Sequence, residues 1–236
     1  MADHSFQHAR IKPLPLNERK SLTTVDQILI DPDGSPPEIG TGLGAQVRLA
    51  TEKIRAAREK DASVVLFYGA HLLRNGAPLI LDRLMAGGWV THLATNGAGT
   101  IHDWEFAWLG RSSESVRKNV ATGTVGTWDE NGRNLHAAIL AGGLRGDGYG
   151  KSMGQVIIED GTDFPSIDAL ESAVRSNPSD PLNGARADVI QAMRNGHLNS
   201  GRYAVHHQWK QASILGHAYR HGIPLTVHPG IGYDII

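Results

Sequence analysis

The segment Ala94-Thr95-Asn96-Gly97-Ala98-Gly99-Thr100-Ile101-His102-Asp103 comes directly after the apolar run Trp89 to Leu93. A strand that ends in small residues and opens into a helix presents backbone N–H groups at the helix N-terminus, where a phosphate or other anion can sit. His102 lies just beyond, and an imidazole that titrates near neutral pH can relay protons. Two other glycine clusters carry less. Gly40-Thr41-Gly42-Leu43-Gly44 comes after a Pro-rich loop in place of a strand. Gly146-Asp147-Gly148-Tyr149-Gly150-Lys151-Ser152 has Arg145 where a P-loop requires glycine, so it reads as a turn. The 12 histidines raise the question of a metal, but no H-E-x-x-H pair occurs, and adjacent His206 and His207 diverge on a helix. Most are expected to be surface or hydrogen-bonding residues, with no metal ligands assigned. Trp104 and Trp108, four apart, read as a core stripe.

These groups need elements to hold them. The breaker cluster Asp31-Pro32-Asp33-Gly34-Ser35-Pro36-Pro37 separates a short arm from the rest of the chain. Residues 41–61 read as an amphipathic helix, and Ser63–Tyr68 as a strand buried on both faces. Helix is predicted at Pro78–Ala86, a second buried strand at Val90–Thr95, and further helices at Ile101–Leu109, Ser113–Val120, Leu135–Leu144, Ile167–Arg175, Ala185–Arg194 and Gln208–His221. Pro224–Val227 opens a third strand leading to His228-Pro229-Gly230. Strands joined through helices make a parallel sheet whose ligands bind at the strands' carboxyl ends.

The chain has 236 residues, a net charge of −1 and no cysteine. The balance of charge argues against nucleic acid as a partner, and no segment reaches the length of a membrane helix. Absent cysteine excludes disulfides and thiolate zinc sites and fits a cytoplasmic protein. The N-terminal residues lack the apolar region of a signal peptide.

Three blocks carry a resemblance: Gly69-Ala70-His71-Leu72-Leu73-Arg74-Asn75-Gly76, Thr91–Asp103, and Ala218-Tyr219-Arg220-His221-Gly222-Ile223-Pro224 through Ile236. Together they resemble the deoxyhypusine synthase family in its divergent bacterial members, over roughly residues 40–236 with 110–205 unaligned. The resemblance implies a three-layer, Rossmann-like α/β fold with a mainly parallel sheet. It implies NAD as cofactor, and transfer of an aminoalkyl group from a polyamine or other small amine to an acceptor amine. It also implies a homo-oligomer, tetramer or dimer. The cofactor-binding positions fall on Gly69, Ala70, His71, Thr95, Asn96, Gly97, Ala98 and Gly99, and the catalytic ones on His102 and Asp234, whose carboxylate suits an ammonium group. The chain departs from the family at His71, His102 and Pro229, and the family's catalytic lysine falls beyond Ile236. The expected organisation is an N-terminal arm over 1–38 and a Rossmann-like domain over 39–236, with a helical insertion at about 110–205 and without the family's C-terminal part. A non-catalytic nucleotide-binding module and a metal-dependent hydrolase using His and Asp ligands are the alternatives.

Overall fold

The computed structural model describes residues 12–230. In chain order it contains β1 (Thr23–Thr24), α1 (Val25–Ile28), α2 (Thr41–Glu59), β2 (Val65–Phe67), α3 (Ala70–Arg74), α4 (Pro78–Ala86), β3 (His92–Thr95) and α5 (Gly97–Leu109). Next come β4 (Arg111–Ser112), α6 (Val116–Thr122), α7 (Asp129–Gly143), α8 (Tyr149–Glu159), β5 (Gly161–Phe164), α9 (Ile167–Ser176), α10 (Asn183–Arg194), β6 (Gly201–Ala204), α11 (Ile214–His221) and β7 (Leu225–Val227). The fold is α/β around a small parallel sheet.

The three strands predicted from apolar runs do pair, in the order β2-β3-β7 and all parallel. β3 is the central strand because its residues are the apolar and small ones that burial on both faces requires: Leu93, Ala94 and Thr95 are all buried. β2 corrects the expectation of a doubly buried strand. It lies at the sheet edge, and Phe67 is 76% exposed, because no described element covers the face that carries Val65 and Phe67. The helix α2 is present as predicted, yet Leu43, Val47 and Leu49 face solvent instead of the core.

α8 was not predicted; the Gly148–Ser152 stretch read as a turn is its N-cap and first turn. Its glycines explain the misreading, since Gly is a poor helix former unless packing demands it. A Cβ at Gly150 would lie 2.1 Å from the Leu225 carbonyl oxygen of β7, and one at Gly154 2.4 Å from the Leu215 carbonyl oxygen of α11. Close approach of three backbones therefore selects glycine here. The segment predicted to start a helix at Ser113 starts it later, with Ser115 as N-cap, because Ser113 adopts a left-handed φ of 69°.

The described part of the 1–38 stretch packs into the main core: Leu16, Arg19 and Val25 are buried, β1 pairs with β4, and Leu14 bridges to Trp128. A second apolar cluster of Phe164, Leu170, Val189, Met193 and Leu198 forms between α9, α10 and the antiparallel β5-β6 pair, which sequence patterning did not predict.

Candidate functional site

The carboxyl edge of the sheet gathers most of the predicted cofactor positions. Asn96, between β3 and α5, caps the helix by accepting a 2.9 Å bond from Gly99 N at Oδ1. Gly99 is required, since a Cβ there would fall 2.1 Å from Thr95 Oγ1. Gly69, the N-cap of α3, is close enough that an added Cβ would come 3.9 Å from Asn96 Nδ2. So the turns after β2 and β3 stand side by side, bringing Gly69, Ala70, Thr95, Asn96, Gly97, Ala98 and Gly99 to one edge. His71, also on α3, is exposed. Behind this edge the Tyr68 phenol and the Thr95 hydroxyl, both buried, interact with each other, with Asp103 near the phenol. Burial pushes the Tyr68 phenol well above its ordinary value.

Along α5, Ala98, Ile101, His102 and Glu105 repeat at helical spacing and line one wall of a cavity of about 700 Å³. Arg19, Arg74, Ser113, Glu114, Trp128 and Asn131 contribute to its other walls. The edge and the cavity thus meet at the first turn of α5.

The cavity wall contains a built polar network. The buried Glu105 carboxylate receives Arg19 Nη1 at 2.6 Å and Nη2 at 2.7 Å, and Asn131 Nδ2 at 2.7 Å. Ser112 Oγ supplies the remaining donor. Because that hydroxyl's single proton goes to Glu105, it must accept from His102 Nδ1, 2.6 Å away. The hydrogen bonds therefore fix the Nδ1–H tautomer and leave Nε2 as the basic nitrogen. Burial lowers the His102 pKa below its usual 6.5; Glu105 opposes this, Arg74 and Arg19 add to it, and Glu114 opposes it weakly. His102 is a neutral base at pH 7.

Asp103, next in sequence, turns away from this cavity. It is fully buried and caps α11, accepting from Ile214 N at 2.8 Å, Leu215 N at 3.1 Å and the Ser213 hydroxyl. Burial pushes its pKa up to about 7 against the pull of those donors. Trp104 and Trp108 stack at 5.0 Å, with Trp104 in the core as predicted. His206 is exposed and His207 buried, and among the described residues no three His, Asp or Glu converge on a point that suits a metal ion. Asp234, predicted to be catalytic, lies outside the described residues. Glu105, Ser112, Asn131, Arg19 and Arg74 were not predicted; only Glu105, one turn beyond His102 on α5, left a signal in the spacing.

No family model matches the chain, and no curated protein matches it. Among solved structures it is similar to ArgZ, an arginine dihydrolase from the ornithine-ammonia cycle in cyanobacteria, in its apo form. That match has 14% identity and a TM-score of 0.40, over 85% of this chain and 20% of that one. It is similar to AgrE in a ternary complex with ornithine and NAD+, at 16% identity and TM-score 0.38, covering 85% of this chain and 21% of that one. A conserved LOR/SDH protein from Methanococcus maripaludis S2 matches at 14% identity and TM-score 0.35, over 94% of this chain and 50% of that one. The chain spans about a fifth of the length of the first of these. At such scores these likenesses assign no activity.

They do correct the resemblance drawn from the sequence. Among the solved structures similar to this chain are the arginine dihydrolase ArgZ, AgrE and a LOR/SDH protein, and no family model matches to support deoxyhypusine synthase. That assignment and polyamine aminoalkyl transfer are withdrawn. The physical reason is that the first two blocks centre on the small-residue turns Gly69-Ala70 and Asn96–Gly99 at the carboxyl edge of a parallel sheet, which unrelated α/β proteins need equally.

Among the described residues no helix is long and apolar enough to cross a membrane.

Proposed function

We propose that this chain forms the dinucleotide-binding and substrate chamber of an NAD-dependent enzyme acting on a small metabolite, with His102 as its proton-transfer base. The reading rests on one observation: a cavity whose wall holds a histidine of fixed tautomer through Ser112, Glu105 and Arg19, adjoining the carboxyl edge of a parallel sheet at the N-terminal turn of α5. We read the three strands as the centre of a Rossmann-like, three-layer arrangement, in which that edge is the nucleotide site.

The residues present fit such a group. Gly69 and Gly99 keep the edge free of side chains, a Cβ at Gly99 falling 2.1 Å from Thr95 Oγ1 and one at Gly69 3.9 Å from Asn96 Nδ2, so the backbone of both turns is open to close approach by a nucleotide. Gly69, Ala70, Thr95, Asn96, Gly97, Ala98 and Gly99 would hold the nucleotide. When bound, NAD supplies hydride acceptance or donation. His102 Nε2 takes the proton released from a substrate hydroxyl or amine, and Ser112 with Glu105 keeps the ring oriented and stabilises the imidazolium as it forms.

Thermal unfolding with NAD, ADP-ribose and AMP tests the reading, because a ligand that binds only the folded state raises its stability. A rise in Tm with NAD and ADP-ribose is expected. No shift with any of the three would remove the nucleotide site.

A further inference from the structure

We propose that the cavity beside His102 takes a small monocarboxylate carrying an adjacent hydroxyl or amine, with Arg74 holding the carboxylate. The inference rests on reading the cavity as the substrate chamber. Arg74, the last residue of α3, lines the cavity half-buried, and its Nε is buried with no hydrogen-bond partner among the described residues. The other arginines there are committed, Arg19 to Glu105 and Arg133 to Asp129. An uncommitted guanidinium in a cavity that Ile101 and Leu135 also line attracts an oxyanion, and its planar fork matches a carboxylate.

Ser113 and Asn131 line the same cavity, and each carries a covered polar atom, Ser113 Oγ and Asn131 Oδ1, with no partner among the described residues. Asn131 donates its amide nitrogen to Glu105, so the amide cannot be flipped, and its oxygen requires a donor. His102 Nε2 is a second acceptor. The chamber therefore offers one cation and a hydroxyl for an anion, and two acceptors for a neighbouring O–H or N–H. Glu114 also lines the cavity, with Asn119, Gly126 N and Trp128 Nε1 as donors but no cation paired to it. Among the described residues Arg74 is the one lining arginine without an anionic partner, and with the Glu114 carboxylate on the same cavity wall this favours a monoanion over a doubly charged phosphate.

The test is titration of lactate, alanine and the uncharged lactamide into the full chain, monitored by tryptophan fluorescence, since Trp128 lines the cavity. Lactate or alanine should bind at least about tenfold more tightly than lactamide, and Arg74→Gln should abolish that preference while Arg74→Lys keeps part of it. The comparison with lactamide needs no variant, so a misfolded mutant does not obscure it. Equal binding of lactate, alanine and lactamide, no binding of any, or an unchanged preference in a folded Arg74→Gln would overturn the proposal. NAD is titrated into the same samples. If NAD fails while the carboxylate preference stands, only the cofactor assignment falls; if NAD binds and the preference is absent, only the Arg74 assignment does.

Discussion

Arg19 and Glu105 meet fork to fork across 86 residues of sequence, Nη1 to Oε1 at 2.6 Å and Nη2 to Oε2 at 2.7 Å, with their side chains 3% and 1% exposed. A buried pair of this kind contributes little compared with an apolar core, but removing one partner strands the other charge. Glu105→Gln is therefore expected to cost roughly 3 kcal/mol in urea unfolding and to release His102 from its single tautomer. A loss below about 1 kcal/mol would mean that Arg19 finds another partner and that the pair does not organise the site.

His102 should titrate below pH 6.5, because burial outweighs the attraction of Glu105. Its folded pKa is depressed, so the neutral base is present at pH 7 and is lost as pH falls through that value. Any proton-transfer activity should fall on the same acid limb. Arg74→Gln removes a cation that lowers the His102 pKa, so the midpoint should move up. Imidazole NMR reads both, and an unchanged midpoint in the variant would separate Arg74 from His102.

The buried His207 has its pKa lowered to about 4, first by burial, with Asp160 opposing. The unfolded chain gains this proton near pH 6.5 and the folded one does not, so stability is lost as pH drops from 6.5 toward 4. Asp103 acts in the other direction: its folded pKa of about 7 exceeds the ordinary 3.8, so its contribution is lost as pH rises between those values. The difference between wild type and His207→Phe isolates the first effect. Relative to its value at pH 7, the variant should gain roughly 2–3 kcal/mol on wild type by about pH 4.5. Parallel pH profiles for the two proteins would show that His207 protonates in the folded state.

Gly154→Ala should destabilise by roughly 2 kcal/mol, since a Cβ would stand 2.4 Å from the Leu215 carbonyl oxygen and 2.8 Å from Tyr219 Cβ. Gly184→Ala on α10, where the added carbon meets nothing, serves as control and should be neutral or slightly stabilising. Equal stability of the two variants would mean that α8 and α11 separate without cost.

The parallel sheet was legible because Leu66, Leu93 and Leu225 sit in apolar runs closed by glycine or turn residues, and Pro78 and Gly87 mark both ends of α4. The edge position of β2 was not, since a continuous apolar run has the same pattern whether one face is covered or both. α8 was hidden because Gly148, Gly150 and Gly154 oppose helix locally, and it is tertiary packing that selects Gly150 and Gly154. The site divides in the same way. Thr95 to Gly99 and His102 stand out as a local junction and a titratable group. Arg19, Ser112 and Asn131 reach Glu105 from other elements, and no local spacing encodes that convergence. The deoxyhypusine synthase resemblance rested on turns alone, and turn chemistry recurs wherever a parallel sheet meets a helix.

Calorimetric titration of NAD into wild type and Thr95→Val tests the central claim most directly. The variant is isosteric and removes the hydroxyl that meets the buried Tyr68 phenol, so the fold should be retained at a cost of roughly 1–2 kcal/mol. The account predicts saturable NAD binding to the wild type, weakened about 3- to 10-fold in Thr95→Val. Absence of NAD binding to wild type, or equal affinity in a folded Thr95→Val, would contradict a nucleotide site at the end of β3.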